Sequence, residues 1–392
     1  MYMSKEILIT GANIMGEATA DILLRDGVIA AVGAKLDAPD AHVIDAKGLI
    51  ALPGLVDLHT HLREPGFEQS ETVLTGSRAA AAGGFTTVFA MANTSPVADN
   101  AGVVEQVKRL GDEAGYVTVR PIGAVTVGLA GGTLADLGSM ATSRAQVSVF
   151  SDDGKCVHDS LLMRRAMEYV KTFGGVIAQH AQEPRLTEGA QMNEGSVSAE
   201  LGLTGWPAVA EESIIARDVL LAESVGARLH VCHLSTAGSV EVVRWAKKRG
   251  IAVTAEVTPH HLLLTDESAR GYSPLFKVNP PLRTREDVEA VRAGVADGTI
   301  DIVATDHAPH TWEEKQQGYW KAPSGLPLVQ HPMLMLLDLA KEGEFSLELI
   351  AQKTAHALAD IFQITDRGYI REGYWADLAI VDFEKEYVVS KQ

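Results

Sequence analysis

Eight short apolar segments recur between about Leu49 and Pro309, and helix-like stretches with amphipathic spacing lie between them. Several of these stretches open with Ser, Asp or Glu and close with Gly, as helices commonly do. Strands that alternate with helices run parallel, so the pattern predicts an α/β fold of the (β/α)8 TIM-barrel type. The segments are LPGLVDLHTH, TTVFAMAN, VTVRPIGAVT, QVSVFSDD, GVIAQHA, ARLHVCHLS, IAVTAEVTP and DIVATDHAP.

The two ends of the chain show a different sequence pattern. From Ile7 to about Val43, short alternating segments separated by Gly and Asp indicate antiparallel strands with tight turns. The last strand-like piece, GYWADLAIVDFEKEYVV, is expected to pair with them. We therefore predict a small β-sandwich-like domain from residues 1–50 and 366–392, with a shortened C-terminal part, around a barrel of residues 51–365.

Composition limits the classes of partner. The 392 residues carry a formal net charge of −17 without a basic cluster, which disfavours binding to nucleic acid or to anionic membranes. Cys156 and Cys232 lie far apart and show no CxxC spacing, so neither a disulfide framework nor a thiolate zinc site is expected. Neither a secretory signal nor an apolar run of roughly 18 residues is found, and we expect a cytoplasmic protein.

The first predicted barrel strand ends in Asp57-Leu58-His59-Thr60-His61-Leu62-Arg63. The two-residue period of a strand places His59, His61 and Arg63 on one face. Two imidazoles on one face can bind a metal, although a lone HxH also occurs as two hydrogen-bonded core histidines.

Four other predicted strands also end in residue types that ligate metals. Each of these residues alone has an ordinary explanation as a turn or core residue, but agreement at five strand ends is hard to explain by packing. Four histidines and two carboxylates suit zinc or another divalent first-row metal. The ends are Ser151-Asp152-Asp153-Gly154, Gln179-His180, His230-Val231-Cys232-His233 and Asp306-His307-Ala308-Pro309-His310.

Six segments resemble the type I bacterial dihydroorotases of the amidohydrolase superfamily: DLHTHLREPG, MANTSP, SDDG, AEVTPHHLLLT, KVNPPLR and ATDHAPHT. After about residue 312, the segments KAPSGLPLVQHP and TDRGYIREGYWADLAIVD look more like a second dihydroorotase branch, which uses a lysine to bridge its metals. Type I relatives continue beyond the position of Gln392, so we expect an unpaired edge in the small β domain.

The resemblance implies a metal-dependent cyclic amide hydrolase with two zinc ions per subunit. Asp153 would bridge the ions, and Asp306 would also act as the general acid and base. Lys155 is rejected as the bridge because it lies in the turn after the strand. The implied ligands are His59, His61, Asp153, His180, His233 and Asp306.

The resemblance also implies a small-molecule substrate, L-dihydroorotate, which is reversibly hydrolysed to N-carbamoyl-L-aspartate in the third step of pyrimidine synthesis. Arg63 and Asn93 would bind the substrate carboxylate, and a guanidinium matches a carboxylate in two hydrogen bonds. His61, Asn279, His310, Ser324 and Gly325 would complete the pocket.

Two alternatives stay open. Another cyclic amidase, of the hydantoinase or allantoinase type, would share the barrel and the metals, but Arg63 and Asn93 favour a substrate with a carboxylate. A non-catalytic scaffold of aspartate transcarbamoylase should have lost ligands, and all six are present. A homodimer or association with that enzyme is a further expectation. The remaining strand-end and loop histidines are expected to pack, to form hydrogen bonds or to be solvated: His158, His230, His260, His261 and His307.

Overall fold

The predicted alternation of apolar strands and amphipathic helices is present in the computed structural model, which describes residues 6–386 and 388. The chain divides into two compact units. One comprises residues up to Val56, residues 84–86 and the residues from Met333 onward; the other comprises Asp57–Gly83 and Thr87–Pro332. The domain boundaries expected near residues 50 and 365 stay a prediction.

The described residues form sixteen strands. They are β1 (Glu6–Ile14), β2 (Ala18–Arg25), β3 (Val28–Gly33), β4 (His42–Asp45), β5 (Ile50–Pro53), β6 (Leu55–Thr60), β7 (Phe85–Ala90), β8 (Thr118–Pro121), β9 (Val149–Phe150), β10 (Val176–Gln179), β11 (Met192–Asn193), β12 (Gly205–Trp206), β13 (Leu229–Val231), β14 (Val253–Val257), β15 (Ile302–Val303) and β16 (Leu378–Val381).

Thirteen α-helices are found in the same residues. A π-helical turn, Gln352–His356, joins the last two. The helices are α1 (Val73–Ala82), α2 (Ala101–Ala114), α3 (Leu137–Thr142), α4 (Ser160–Lys171), α5 (Ser196–Leu201), α6 (Val209–Val225), α7 (Ala237–Lys248), α8 (Pro259–Leu263), α9 (Arg285–Ala296), α10 (Trp312–Lys315), α11 (Pro332–Lys341), α12 (Leu347–Ala351) and α13 (Ala357–Ile361).

The first unit contains a six-stranded sheet in the order β16-β5-β1-β2-β3, with β4 beside β1. β1, β2 and β3 are antiparallel neighbours, and β16 runs antiparallel to β5. Buried apolar side chains such as Ile9, Ile22 and Ile29 form its core. The last strand therefore joins the N-terminal strands in one sheet, while the β-sandwich-like arrangement stays a prediction.

The eight apolar segments predicted from the sequence correspond to β6, β7, β8, β9, β10, β13, β14 and β15. They form two ladders, β6-β7-β8 and β15-β14-β13-β10-β9. All pairs of the second ladder, and the pair of β7 with β8 in the first, are parallel. Single parallel bridges join Gly123 to Phe150 and Thr60 to His307. The protein is therefore of the α/β class, with parallel strands whose carboxyl ends lead into the predicted site residues.

Local sequence explains where the helices begin and end. The side chain of Thr72 accepts the backbone N–H of Thr75 at the start of α1, and Asn100 accepts that of Val103 at the start of α2. Helices α2 and α6 stop at Gly115 and Gly226, both in the left-handed region. The caps and glycines therefore limit each helix to the interval between two strands.

No helix in residues 6–386 combines the length and the apolar character needed to cross a bilayer.

Candidate active site

The HxH motif of β6 faces two carboxylates from other strands. His59 Nε2 lies 3.3 Å from Asp153 Oδ1 and 3.4 Å from Asp306 Oδ1. His61 Nε2 lies 3.3 Å from Asp153 Oδ2 and 3.2 Å from Asp306 Oδ1. All four side chains are buried. The strand period thus directs both imidazoles toward the acids that follow β9 and β15.

A second group shares one of these acids. His180 Nδ1 lies 3.3 Å from Asp153 Oδ1 and 2.8 Å from His233 Nε2, and His233 Nε2 lies 3.4 Å from the same carboxylate oxygen. Asp153 thus belongs to two groups, one with His59 and His61 and one with His180 and His233. Within each group, the atoms that could bind a metal lie within 4.8 Å of one another. Asp153 therefore occupies the position from which one carboxylate could bridge two ions.

The donor set and its electrostatics fit divalent cations. His59 Nε2 is buried and finds no hydrogen-bond partner among the described residues, although two carboxylates face it. Burial alone would lower the pKa of His59, but Asp153, Glu256 and Asp306 outweigh burial and raise it well above its usual range. The cluster thus stabilises positive charge, and its nitrogen and oxygen donors are those that zinc accepts.

Glu256 orients the first histidine. Its Oε1 lies 2.5 Å from His59 Nδ1 and accepts the backbone N–H of His233 at 3.2 Å, and its Oε2 lies 3.2 Å from His230 Nε2. Burial would raise the pKa of Glu256, but His59 lowers it to about 2. The carboxylate is therefore ionised and fixes the ring so that Nε2 points toward Asp153 and Asp306.

Sequence reasoning missed Glu256, although one signal was available: a glutamate inside the otherwise apolar segment IAVTAEVTP. His230, expected only to pack or form hydrogen bonds, contacts Thr254 through Nδ1 at 2.8 Å and Glu256 through Nε2. Cys232 lies near His59 and Glu256, and burial raises the pKa of its thiol.

Asp57 links the strand ends that carry His59 and Asp306. Its Oδ1 accepts the backbone N–H groups of His59 and Thr305, both at 3.0 Å. Asp306 and His233 have positive φ values of 48° and 31°, which non-glycine residues rarely adopt. Backbone strain at these positions indicates that the surrounding contacts, rather than local preference, set the direction of the ligands.

Two of the predicted substrate residues are connected to the predicted metal ligands by hydrogen bonds, Asn93 directly and Asn279 through Gln182. Asn93 Oδ1 lies 2.9 Å from His61 Nδ1. Asn279 Nδ2 donates to Gln182 Oε1 at 3.3 Å, and the same oxygen lies 2.8 Å from His180 Nε2. Asn279 Oδ1 is buried without a hydrogen-bond partner in the described part of the chain. Gln182 was not predicted; its signal is its place two residues beyond His180.

Arg63 belongs to a second network of hydrogen bonds, which includes His310 and Ser324. Its Nε donates to the carbonyl of Pro309 at 3.0 Å, and its guanidinium approaches His310 Nε2 at 3.3 Å. His310 Nε2 also lies 2.8 Å from the Ser324 carbonyl. Burial, followed by the charge of Arg63, lowers the pKa of His310 to about 4, so its ring is neutral at pH 7. A neutral ring with its proton on Nε2 can donate to Ser324.

Gly325 meets a steric requirement in this region. Its φ is 139°, and a Cβ at this position would lie 2.6 Å from the Ala308 carbonyl oxygen and 3.0 Å from His310 Nε2. A larger residue would therefore displace His310 or the strand end. The structure brings Ser324 and Gly325 next to His310, and it links Asn93 and Asn279 to His61 and His180.

The other expected residues are placed as follows. Asp152 accepts from the backbone N–H groups of Val125 and Thr126, at 2.7 and 3.0 Å, and so stabilises the backbone instead of facing the cluster. Lys155 and His158 are exposed.

Three further histidines follow strand ends: His307 after β15, and His260 and His261 in α8 after β14. His307 Nε2 contacts Glu71 at 2.8 Å, while its Nδ1 accepts from Leu328 N–H at 3.0 Å. His261 contacts Thr258 at 2.7 Å. His260 is buried with no hydrogen-bond partner for its ring nitrogens among the described residues, and burial lowers its pKa to about 4.

Comparisons with known proteins agree with this geometry. A family model described as Dihydro-orotase-like matches residues 48–239. A protein named dihydroorotase from Leifsonia xyli subsp. xyli is 73% identical over 325 residues, which cover 83% of this chain and 74% of that relative. The dihydroorotase of Streptomyces coelicolor is 63% identical over 382 residues, which cover 97% of this chain and 89% of the relative.

Solved structures extend the likeness to the fold. The L-hydantoinase (dihydropyrimidinase) of Arthrobacter aurescens matches with a TM-score of 0.84 and 25% identity, over 95% of this chain and 86% of its own. Sequence and fold similarity therefore both extend well beyond the segment that the family model matches.

Proposed function

Because this chain belongs to the dihydroorotase family, we propose that it catalyses the reversible hydrolysis of L-dihydroorotate to N-carbamoyl-L-aspartate, a step of pyrimidine synthesis. Dihydroorotases are metal-dependent cyclic amide hydrolases. One observation carries the proposal: four histidines and two aspartates from five different strand ends converge around shared carboxylate oxygens. Arg63 follows the HxH motif, where it could meet an anionic substrate.

We further propose two zinc ions per chain. His59, His61, Asp153, His180, His233 and Asp306 would hold them, with Asp153 shared. When bound, zinc ions supply Lewis-acid polarisation of a carbonyl and lower the pKa of a coordinated water. The proposed count is supported by the two groups of donors that share Asp153.

Asp306 is proposed as the general acid and base. Burial would raise its pKa, but the neighbouring His59 and His61 outweigh burial and lower it, so the carboxylate is ionised at neutral pH. An ionised Asp306 can take the proton of the attacking water and return it to the ring nitrogen that leaves. The reverse sequence of proton transfers serves the cyclisation of N-carbamoyl-L-aspartate.

Arg63, Asn93, Asn279, His310, Ser324 and Gly325, with His61, are proposed to bind the substrate. The guanidinium of Arg63 would meet the substrate carboxylate, because its planar fork allows two parallel hydrogen bonds. The amide groups of Asn93 and Asn279 would then contact the ring, since both are tied to metal ligands.

The fold proposed for this activity is a closed (β/α)8 barrel with a small β-sandwich-like domain. Two observations support closure: the eight parallel-strand segments follow one another in chain order along the ladders, and single parallel bridges join the ends of the ladders. In such barrels, reactive side chains stand at the carboxyl ends of strands. A homodimer and association with aspartate transcarbamoylase stay predictions.

The fold similarity to L-hydantoinase also favours a second candidate, the hydrolysis of another cyclic amide. Both candidates are tested by turnover of L-dihydroorotate, hydantoin and allantoin on one zinc-loaded sample, with zinc measured by elemental analysis. We expect turnover of dihydroorotate with near two zinc ions per chain. Preferential turnover of hydantoin or allantoin would assign the protein to that activity instead. Bound zinc without turnover of any of the three substrates would favour a non-catalytic scaffold.

The assignment of Arg63 gives a prediction. Arg63→Met should raise KM for dihydroorotate by about 30- to 150-fold, because a charged hydrogen-bonded contact contributes roughly 2 to 3 kcal/mol. Steady-state kinetics over a range of substrate concentrations measure this effect. Lys155→Met removes an exposed cation nearby and should leave KM and zinc content unchanged. An unaltered KM in Arg63→Met would show that another residue binds the substrate carboxylate.

A further inference from the structure

Two buried lysines lie beside the candidate substrate residues. Lys277 and Lys315 are only 8% and 7% exposed. Within the part of the chain that the structure describes, neither lies within 4.0 Å of a carboxylate oxygen. A buried ammonium without an acidic partner is costly and rarely found without a specific role.

Both ammonium groups instead bind oxygens of one loop, which we call the 319–325 loop. Lys277 Nζ donates to the carbonyls of Tyr319 and Trp320, at 2.8 and 3.3 Å, and to Gln191 Oε1 at 2.8 Å. Lys315 Nζ donates to the carbonyls of Pro323 and Gly325, at 3.0 and 3.1 Å. One lysine thus holds the beginning of the loop and the other holds its end.

The remaining contacts of the loop connect it to the candidate site. The Gly325 N–H donates to the backbone carbonyl of Lys277 at 2.9 Å. His310 Nε2 lies 2.8 Å from the Ser324 carbonyl. Three consecutive carbonyls, from Pro323 to Gly325, are therefore engaged by Lys315 and His310. A ligand that approaches this turn meets backbone whose carbonyl oxygens are already bound to donors.

The charge of the lysines has a second effect. Burial, followed by the positive charge of Lys277, lowers the pKa of Lys315 to about 8, and burial also lowers the pKa of Lys277. Lys315 is still mostly protonated at neutral pH. Two cations behind the loop raise the local potential in a chain whose net charge is −17, which favours an anionic ligand in front of it.

We propose that Lys277 and Lys315 are positioning residues that fix the 319–325 loop so that Ser324, held beside the anchored Gly325, can meet a carboxylate-bearing substrate. This inference rests on the proposed function. It assigns substrate affinity to two side chains that need not touch the substrate.

Lys277→Met and Lys315→Met test the inference, since Met keeps the length of the side chain and removes its charge. We expect KM for dihydroorotate to rise tenfold or more in each variant, with kcat within threefold of the wild type and zinc content unchanged. The matched control is Lys321→Met, which removes an exposed lysine of the same loop and should leave KM unchanged. KM within twofold of the wild type in both buried-lysine variants would overturn the inference.

Two further measurements separate positioning from general support of the fold. Lys315→Arg retains the positive charge, and we expect KM within threefold of the wild type. If Lys315→Arg is as impaired as Lys315→Met, or if kcat and Tm fall in proportion with affinity, the positioning role is overturned.

Trypsin cleavage after Lys321 reports on the loop without substrate. We expect cleavage to be at least tenfold faster in Lys315→Met than in the wild type, and Lys321→Met identifies the cleavage site by removing it. Equal cleavage rates would contradict the inference even if the enzyme is active. Failure of the wild type to hydrolyse dihydroorotate would instead contradict the proposed function, and the cleavage result would still stand.

Discussion

At the scale of single residues, the two nitrogens of His59 have different partners. Nδ1 contacts Glu256 at 2.5 Å, while Nε2 faces Asp153 and Asp306. The carboxylate on one side determines which nitrogen is available on the other. The amide oxygen of Asn93 contacts His61 Nδ1 and leaves His61 Nε2 available in the same way. The candidate ligands are therefore oriented by neighbours that are not themselves ligands.

Asp306→Asn should lower kcat for dihydroorotate by about 10²- to 10⁴-fold, because one general acid or base typically contributes that much. Asn keeps the shape of the side chain but cannot take up the proton. The measurement is steady-state turnover with zinc content determined on the same sample. Asp297→Asn, an exposed helix-end variant, should retain full turnover. Near-normal kcat in Asp306→Asn would remove Asp306 from this role.

The residues that sequence could predict are those whose position follows from strand periodicity or from a motif. His59 lies on β6 and His61 directly follows its last residue, while Asp153, His180, His233 and Asp306 follow apolar segments. Glu256, Gln182 and the two buried lysines could not be assigned in this way. Glu256, Gln182 and Lys277 act through contacts with residues 42 to 197 positions away, which a single sequence does not reveal. Lys315 binds Pro323 and Gly325, 8 and 10 positions away, in a loop without periodicity.

The buried acid Asp218 gives a prediction about pH. Burial raises its pKa to about 6, although Arg217 acts in the opposite direction. The unfolded chain has the lower pKa, so the folded state binds the proton more tightly. The contribution of Asp218 to stability is therefore complete below about pH 3.8 and is lost as pH rises through about 6.

Between pH 5 and pH 7, the wild type should lose roughly 1 kcal/mol of unfolding free energy relative to Asp218→Asn. Urea unfolding of both proteins at a series of pH values measures the difference. Asp112→Asn replaces an exposed helix carboxylate and serves as the control. A constant difference between the wild type and Asp218→Asn across this range would contradict the linkage.

At the scale of secondary-structure elements, close packing of α2 on β8 depends on a missing side chain. A Cβ on Gly111 would lie 2.4 Å from Val119 Cβ, well below contact distance. Val104 and Val107 bury the same side of the helix. Glycine has a poor helix propensity, but at position 111 it allows α2 to pack closely on β8.

Gly111→Ala should destabilise the protein by about 1 to 2 kcal/mol, because overpacking outweighs the helix propensity gained. Thermal unfolding measures the change. Val119→Ala alone should also destabilise, since it leaves a cavity. The double variant should recover part of the cost, because the Cγ atoms at 2.8 and 3.3 Å are removed while the Cβ contact stays. Strict additivity would show that the two side chains do not interact.

The elements predicted best are the eight parallel strands and the longer helices, because their apolar periodicity extends over many residues. The short strands β11 and β12 were not predicted: each has two residues and pairs only with the other. The loop after α10 was expected to differ from the type I pattern, but its conformation depends on Lys277 and Lys315. Such segments have no periodicity of their own.

At the scale of the whole molecule, a bound metal is expected to stabilise the folded state. Carboxylates and imidazoles packed this closely should bind zinc in the folded state only, so zinc at 100 times its Kd would add about 2.7 kcal/mol. Chelation should therefore lower Tm by several degrees, and added zinc should restore it. His158→Ala changes an exposed histidine outside the cluster and should respond like the wild type. An unchanged Tm after zinc removal would contradict a cation site.

His61 and Asp306 contact each other although 245 residues separate them. At roughly 5 to 20 residues per second, a ribosome needs about 12 to 50 s to translate that interval. A nascent polypeptide meanwhile carries the HxH pair without Asp306, the last acid of the cluster. If the cluster binds zinc as proposed, the complete site forms only after translation of Asp306, and polypeptides released early should compete less well for the cell's zinc.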